Sequence, residues 1–210
     1  MSDETHDHEV TLVGFLDAAA AKRADPGGGA VAGVAGALAA SMGAMALRYS
    51  LRKKGAEHHD DHREAIEALD AARAELTTLI DADQAAYAAL VEARKAHRED
   101  DAPLAQVHAA ARAAVDVPLK VVAAAGRVLD VAAEVAGSCN GWLLSDLGVC
   151  CDLAAATVRC GVWNVLANAG DLSAADRTRA LAEAEAARAA MVVRVTVATE
   201  AIRRRMNVTG

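Results

Sequence analysis

A single carboxylate interrupts an apolar seam in the middle of the chain. Between Asp61 and His97 apolar residues recur with a heptad-like spacing, and Asp83 occupies one of these positions, one turn from Ile80 and one from Tyr87. A carboxylate on an inward-facing stripe either pairs with a cation or has its pKa raised, and both situations are commoner at functional sites than elsewhere. A structural ion pair, or drift of the stripe toward solvent, would also explain Asp83. Its position leaves these alternatives open.

Four polar side chains share one face of an otherwise apolar segment in the last third of the sequence. At about 100° per residue they fall at one azimuth of a helix over several turns. Buried amides and carboxylates must be hydrogen-bonded, so these groups either bond across a bundle or line a polar pocket. Helical position does not choose between the two. The four residues are Asp146, Thr157, Asn164 and Asn168.

A glycine run opens the most apolar part of the chain. In Asp25-Pro26-Gly27-Gly28-Gly29 the consecutive glycines let a ligand approach the backbone, and the N–H groups of a helix start suit an anion or a carbonyl oxygen. The run matches neither the phosphate-binding loop nor the dinucleotide fingerprint. At the far end of the segment, Arg52-Lys53-Lys54 either complements a helix dipole or meets an acidic substrate tail.

Histidines and cysteines offer weaker signals. His58, His59 and His62 have metal-capable spacing, but their hydrophilic flanks favour a solvated helix start, and we expect no metal. No Ser-His-Asp or Cys-His grouping can be assembled from spacing alone. The cysteines have no CxxC spacing and are expected to be reduced core residues; they are Cys139, Cys150, Cys151 and Cys160.

The elements that must position these residues are helices. Of 210 residues 54% are hydrophobic but only 2% aromatic, and alanine, the best helix former, supplies much of the apolar fraction. We predict an all-α protein, a single domain over residues 1–210 forming an up-and-down bundle of about six helices, with residues 1–8 disordered. The predicted helices are 10–23, 26–47, 61–97, 104–137, 140–169 and 173–206, the fourth kinked or broken before Pro118.

The second predicted helix has two unlike faces. Large apolar residues such as Val31, Leu38 and Met45 form one stripe, and small residues such as Gly33 and Gly36 form the opposite one. We therefore expect burial on both sides, with the small residues allowing close approach of a second backbone in a bundle centre or a dimer seam. The Gly/Ala content favours this interpretation over a membrane span.

Charge and the N-terminal sequence exclude some classes of function and location. With 22 basic and 29 acidic residues and a net charge of −7, the chain lacks the electrostatic footprint of a nucleic-acid binder. Its acidic, histidine-bearing start is unlike a signal or transit peptide. A cytoplasmic location is therefore expected, with neither nucleic acid nor membrane as a partner.

Taken in order, the motifs make the chain resemble the cyclodeaminase/cyclohydrolase family of folate enzymes. This family comprises the C-terminal domain of formiminotransferase-cyclodeaminase and free-standing methenyltetrahydrofolate cyclohydrolases. Each motif alone is weak, but their order and spacing agree over residues 10–171. The motifs are Pro26-Gly27-Gly28-Gly29 with the later Lys53-Lys54, Asp83-Gln-Ala-Ala86-Tyr87, Asp116-Val117-Pro118-Leu119, the segment Asn140–Val149, and Asn164-Val165 with Asn168.

The resemblance implies a homodimer that binds a reduced folate and needs no cofactor. The implied reaction is hydrolysis of 5,10-methenyltetrahydrofolate to 10-formyltetrahydrofolate. Asp83 would be the general base or the carboxylate that stabilises the cation, and Asp146 would hold the pterin or assist proton transfer. The implied substrate-binding residues are Pro26, Gly27, Gly28, Gly29, Lys53, Lys54, Tyr87, Asn140, Ser145, Asn164 and Asn168, the two lysines attracting the glutamate tail.

Two alternatives remain beside the cyclohydrolase. A formiminotetrahydrofolate cyclodeaminase would attack the same carbon but expel ammonia. A bundle that binds a ligand or partner without catalysis is favoured by Arg48 and Trp142, a cation and an indole in motifs where the family has other residues.

Overall fold

The computed structural model describes residues 11–51, 58–99 and 103–207. In these ranges it contains six α-helices, two 3-10 turns and no strand, which confirms the all-α prediction. Residues 1–8, Lys53 and Lys54 lie outside the described ranges, so the predictions made for them are not tested. The elements are α1 (Leu12–Ala20), α2 (Gly28–Ser50), α3 (His59–Arg98), α4 (Leu104–Val135), a 3-10 turn (Gly141–Leu143), α5 (Leu144–Asn168), a second 3-10 turn (Ala169–Asp171) and α6 (Ala174–Arg205).

The fourth helix runs without a break through Pro118. Proline removes the N–H that would bond to the carbonyl four residues earlier, here that of Ala114. The Asn168 side chain of α5 donates to this carbonyl from Nδ2 at 2.9 Å and supplies the missing bond. Of the two predicted outcomes, a kink or a break before Pro118, the break does not occur, because a neighbouring helix satisfies the group that the proline leaves unpaired.

Helix α2 is the central helix of the bundle. Its glycines lie against α3 on one side and α5 on the other: a Cβ at Gly36 would meet both Leu76 and Thr157 at 3.0 Å, and one at Gly33 would lie 2.9 Å from Ile80. Only glycine allows helices to pack this closely. The predicted close approach is confirmed, and it takes place inside the chain.

The opposite face of α2 is not covered. Val31 and Leu38 are exposed, while Met42 and Met45 are half-buried. The prediction that α2 is buried on both sides is therefore wrong for a single copy of the chain, because the other helices surround only its small-residue face.

Two further predictions concern buried positions. Cys139, Cys150 and Cys151 are reduced and buried, as predicted, but Cys160 is exposed on α5. Burial raises the pKa of the Cys151 thiol to about 12, so this thiol is protonated at neutral pH.

Two segments, helix α2 and Gly141–Asp171, are long and apolar enough to cross a membrane. In their most apolar 18-residue stretches, 56% and 44% of the residues are buried inside the bundle.

Candidate functional site

A cleft of about 700 Å³ lies at the N-terminal end of α2. Its size falls within the range of small-molecule sites, roughly 300–1,000 Å³. The glycine run forms one wall, the second half of α3 forms another, and the last turns of α5 close the third side. The residues that line it are Ala24, Asp25, Gly27, Gly28, Gly29, Asp83, Gln84, Ala85, Tyr87, Ala88, Val91, Glu92, Asn164, Ala167 and Asn168.

Asp83 connects the wall formed by α3 to the start of α2. The N-cap residue of α2 is Gly27, which has no side chain to bond the unpaired N–H groups of the first turn. The carboxylate of Asp83 accepts a hydrogen bond from one of these groups, the N–H of Ala30. A Cβ at Gly29 would lie 2.1–2.2 Å from the Asp83 carboxylate atoms, so this position must be glycine for the carboxylate to stay in place.

Burial shapes the acid–base behaviour of Asp83. Desolvation raises the pKa of this carboxyl group, and the hydrogen bond from Ala30 opposes the shift only in part. Among the described residues no cation forms an ion pair with it, so the structural ion pair considered above is not what holds it. A carboxylate whose pKa is raised by burial in a cleft is suited to take and return a proton.

The cleft has an acidic lining. Glu92 and Asp25 stand on it with Asp83, and Asp25 is paired at 3.1 Å with the exposed Arg23. The next cation along α3, Arg94, is held by Asp171 in a two-nitrogen ion pair. The lining therefore favours a ligand that carries positive charge next to Asp83.

Asn164 and Tyr87 provide a polar and an aromatic surface. Asn164 donates from Nδ2 to the Cys160 carbonyl at 2.9 Å, and its Oδ1 is the atom nearest to where a Cβ on Gly28 would lie, at 3.5 Å. The Oδ1 atom is thus directed toward the glycine run, where it can accept from a ligand N–H. Tyr87 is 41% exposed and presents its ring along the α3 wall.

The amides on the polar face of α5 have different roles. Asn164 faces the cleft, whereas Asn168 lines the cleft and also bonds across the bundle to Ala114. Thr157 is buried with its hydroxyl on the Leu153 carbonyl at 2.8 Å, so it serves packing. Both alternatives left open by the sequence are therefore realised: Asn164 lines the cleft, and Asn168 lines it and also bonds across the bundle.

Three of the predicted site residues lie at the other end of the bundle. Asn140 caps the turn before α5, since its Oδ1 accepts from the Trp142 N–H at 3.1 Å, and its own N–H is bonded to Ser50 at the end of α2. Ser145 is exposed and Asp146 half-buried in the first turn of α5. About 27 Å of helix separates Asp146 from Asn164, so within one chain these residues do not line the cleft.

Sequence reasoning did not name eight of the cleft residues as site residues: Ala24, Asp25, Gln84, Ala85, Ala88, Val91, Glu92 and Ala167. A signal for two of them was present, because Gln84, Tyr87 and Val91 repeat at the i, i+3, i+7 spacing of one helix face. No such signal marked Glu92, whose place depends on how far α3 extends beyond the start of α2.

The histidine cluster borders a separate cleft between the start of α3 and the end of α4. His62 is buried, not solvated as expected, because its Nε2 lies 2.9 Å from the Ser138 hydroxyl and ties α3 to the turn after α4. Burial, followed by the nearby His58, lowers the pKa of His62. Within the described part of the chain no group of three metal-binding side chains is found.

Comparison with known proteins points to one family. The profile described as formiminotransferase-cyclodeaminase matches residues 11–188. The chain is 34% identical over 170 residues to formimidoyltransferase-cyclodeaminase of Mus musculus, covering 79% of this chain but 31% of that protein. It is 32% identical over 167 residues to methenyltetrahydrofolate cyclohydrolase of Methylorubrum extorquens, covering 77% of this chain and 80% of that protein.

A solved structure has the same architecture. The crystal structure of formiminotetrahydrofolate cyclodeaminase from Thermotoga maritima superposes with a TM-score of 0.85 at 26% identity. The superposition covers 95% of this chain and 97% of that one. Thus the chain spans about a third of the length of the mouse protein but nearly the whole of the solved chain.

Proposed function

Since the chain belongs to the formiminotransferase-cyclodeaminase family, we propose that it hydrolyses 5,10-methenyltetrahydrofolate to 10-formyltetrahydrofolate in the cleft at the start of α2. Its relatives act on folate one-carbon units, and the likeness to the cyclohydrolase extends over 80% of that protein's length. The likeness to the mouse enzyme covers only 31% of its length. Of the two relatives matched over most of their length, the cyclohydrolase is 32% identical and the solved cyclodeaminase 26% identical, which favours the cyclohydrolase over the ammonia-releasing reaction.

The observation that carries the proposal is the carboxylate of Asp83 in the cleft, bonded to the Ala30 N–H and lying against Gly29. The reacting carbon of the substrate lies between two nitrogens in a cationic amidinium. An acidic lining without a paired cation beside Asp83 suits this positive charge. The raised pKa of Asp83 suits the proton transfer that the hydrolysis needs.

The proposed steps balance in atoms and charge. Water attacks the amidinium carbon, a new C–O bond forms, and Asp83 takes the proton of the water, which leaves a neutral tetrahedral adduct. The bond from this carbon to N5 of the folate then breaks as the protonated Asp83 returns its proton to N5. The hydroxyl proton of the adduct passes to solvent, so one proton is released in each turnover.

Other cleft residues would bind and orient the substrate. The Gly28 and Gly29 backbone permits close approach of the pterin, while Asn164 Oδ1 accepts from its N–H groups and Tyr87 packs on its ring. These contacts would hold the amidinium carbon beside Asp83. We further propose that the active species is a homodimer, as the resemblance implies.

Loss of the methenyl chromophore with purified protein tests the proposal directly. Wild-type protein should hydrolyse the compound faster than buffer, and Asp83→Asn should lower kcat by about 10²–10⁴-fold, the usual contribution of a general base. Full activity of Asp83→Asn would show that another group is the base. Wild-type protein that neither hydrolyses nor binds the folate would refute the proposed function.

The cyclodeaminase reaction is the second candidate. It is favoured by the solved cyclodeaminase, which this chain covers over 97% of its length. Both reactions involve the same carbon, and they differ in the leaving group. Ammonia release from 5-formiminotetrahydrofolate by the wild-type protein would identify this activity, whereas folate binding without turnover of either compound would indicate a non-catalytic member.

A further inference from the structure

The α3 wall continues beyond the cleft. Gln84, Ala88 and Val91 line the cleft and repeat at the spacing of one helix face. Helix α3 extends to Arg98, and the next positions on this face are Lys95, about one turn beyond Val91, and Arg98, about two turns beyond it. The wall of the cleft therefore leads to two cations.

Lys95 and Arg98 are exposed, and neither forms an ion pair with another residue in the part of the chain that the structure describes. The neighbouring Arg94 differs, because it is held by Asp171. Glu92 lies about one turn before Lys95 on the same helix, yet the two side chains form no ion pair. The Lys95 ammonium and the Arg98 guanidinium are thus available to carboxylates of a ligand.

The end of a helix offers a simpler reason for these cations. Positive charges near a helix C-terminus interact favourably with the macrodipole, and Lys95, His97 and Arg98 all lie in the last turn of α3. This reason accounts for the charge but not for its alignment with the cleft. The two explanations also differ in their consequences, because a dipole effect changes stability whereas a binding site changes affinity.

The α3 wall presents three kinds of group in a fixed order. The Asp83 carboxylate comes first, the apolar side chains of Ala88 and Val91 follow, and the cations of Lys95 and Arg98 come last. The proposed substrate has matching groups in the same order: the cationic amidinium, the aromatic ring of its aminobenzoyl unit, and the carboxylates of its glutamate tail. A folate that lies extended along α3 would therefore meet a complementary partner at each step.

The distances along α3 agree with this order. Asp83 and Lys95 are separated by about 18 Å of helix. Helical side chains lean toward the N-terminus and a lysine stem spans about 6 Å, so the ammonium group can lie about 12–18 Å from the level of Asp83. Bond lengths place the tail carboxylates about 10–12 Å from the amidinium carbon, which would lie about 3–4 Å from Asp83. The tail therefore ends within reach of Lys95.

The lysines to which the resemblance assigns the tail follow the other end of α2. Helix α2 runs from Gly28 at the cleft to Ser50, about 33 Å away, and Lys53 and Lys54 come after it in the sequence. Within one chain, the cations that continue the cleft wall are therefore those at the end of α3.

We propose that Lys95 and Arg98 bind the carboxylates of the glutamate tail and so select folates that carry this tail. The inference rests on the proposed function, because it assigns the tail-binding part of the same folate site. Arg98 lies about 4.5 Å beyond Lys95 along α3, where it can meet the γ-carboxylate or a second glutamate unit. The tail takes no part in the chemistry, so these cations should act on KM and leave kcat unchanged.

Substrates with and without the tail test the subsite. Lys95→Gln and Arg98→Gln should each raise KM for 5,10-methenyltetrahydrofolate about threefold to fivefold, the range of an exposed ion pair, and together about tenfold or more. Neither substitution should change KM for the corresponding pteroyl methylamide, in which an uncharged N-methyl amide replaces the glutamate. Added salt should weaken the preference of the wild-type protein for the substrate with the tail.

Two control variants separate charge at this site from charge in general. Lys120→Gln removes a lysine charge from the exposed side of α4, outside the cleft lining, and should leave KM unchanged. Lys95→Arg keeps the charge and should keep KM close to the wild-type value. Circular dichroism melts report a loss of helix stability, which the dipole explanation predicts without a change in KM.

The outcomes distinguish this subsite from the proposed function. Equal KM values for the two substrates in the wild-type protein, or an unchanged KM in the double variant of Lys95 and Arg98, would overturn the subsite while turnover stands. An equal rise of KM for both substrates would also overturn it. Wild-type protein that binds the folate more tightly than the methylamide in calorimetric titrations, but turns over neither, would support the subsite and refute the proposed function.

Discussion

Gly29→Ala is the sharpest test of how the cleft is built. The added Cβ would lie 2.1–2.2 Å from the carboxylate atoms of Asp83, whereas ordinary contact begins at 3.4 Å. The carboxylate must therefore retreat by about 1.3 Å or the start of α2 must shift. A displacement of about 1 Å at a reacting group can cost on the order of 10²-fold in rate. We expect kcat/KM for methenyltetrahydrofolate hydrolysis to fall by about that factor.

Two further variants separate displacement of Asp83 from general damage to α2. Gly43→Ala also crowds α2, since its Cβ would meet Cys150 and Leu69 at 3.0–3.1 Å, but it lies far from the cleft. It should cost stability, about 1–3 kcal/mol for overpacking, and leave kcat/KM unchanged. If Gly29→Ala acts through the carboxylate, adding it to Asp83→Asn should cause little further loss of activity.

The assay is the decay of methenyl absorbance, with circular dichroism melts to confirm folding. A Gly29→Ala protein that keeps the wild-type kcat/KM would refute the argument that this glycine holds the carboxylate in place. Multiplied losses in the double variant would show that Gly29 acts independently of Asp83.

Three other predictions concern stability and pH. Asp83→Asn should raise the melting temperature at neutral pH while it lowers kcat by about 10²–10⁴-fold. Burial raises the pKa of Asp83 in the folded state, so keeping this group charged at neutral pH destabilises the fold; a lower melting temperature of the variant would mean that the bond from the Ala30 N–H outweighs this cost. Asn168→Ala should lower the free energy of unfolding by about 1–3 kcal/mol in urea titrations, since the Ala114 carbonyl loses its donor; no change would show that water replaces the amide. Folding lowers the pKa of His62, so the unfolded state binds the extra proton and stability should decrease as pH falls below about 6.5. His62→Gln should weaken this dependence in melts recorded from about pH 5 to pH 8, and an unchanged dependence would contradict the reasoning.

Much of the fold was predictable because helical periodicity is local. Alanine content and the spacing of apolar residues located all six helices, and Ser173 caps α6 as its sequence indicates, accepting from the Asp176 N–H at 3.2 Å. The break considered at Pro118 does not occur, and local sequence rules could not foresee this because they show only that the bond to the Ala114 carbonyl is lost. The replacement donor, Asn168, comes from another helix and has no local signature.

The candidate site was predictable in its residue types and only partly in its arrangement. Asp83 and Asn164 were identified because polar groups on apolar stripes need a reason to be there, and both line the cleft. Asp146 satisfied the same criterion but lies at the far end of α5. A shared azimuth fixes the face of a helix and says nothing about distance along it.

The sequence by itself determined an all-helical chain, a glycine-rich start to its central helix, and the carboxylate and amides that stand out from the apolar stripes. These depend on propensity and periodicity, which act over a few residues. Only the tertiary structure decided that Asp83 caps α2 from a neighbouring helix, that Gly29 must lack a side chain for this to happen, and that the large apolar face of α2 stays open. Each of these depends on how closely two helices approach, and that distance is set by the packing of side chains from segments far apart in the chain.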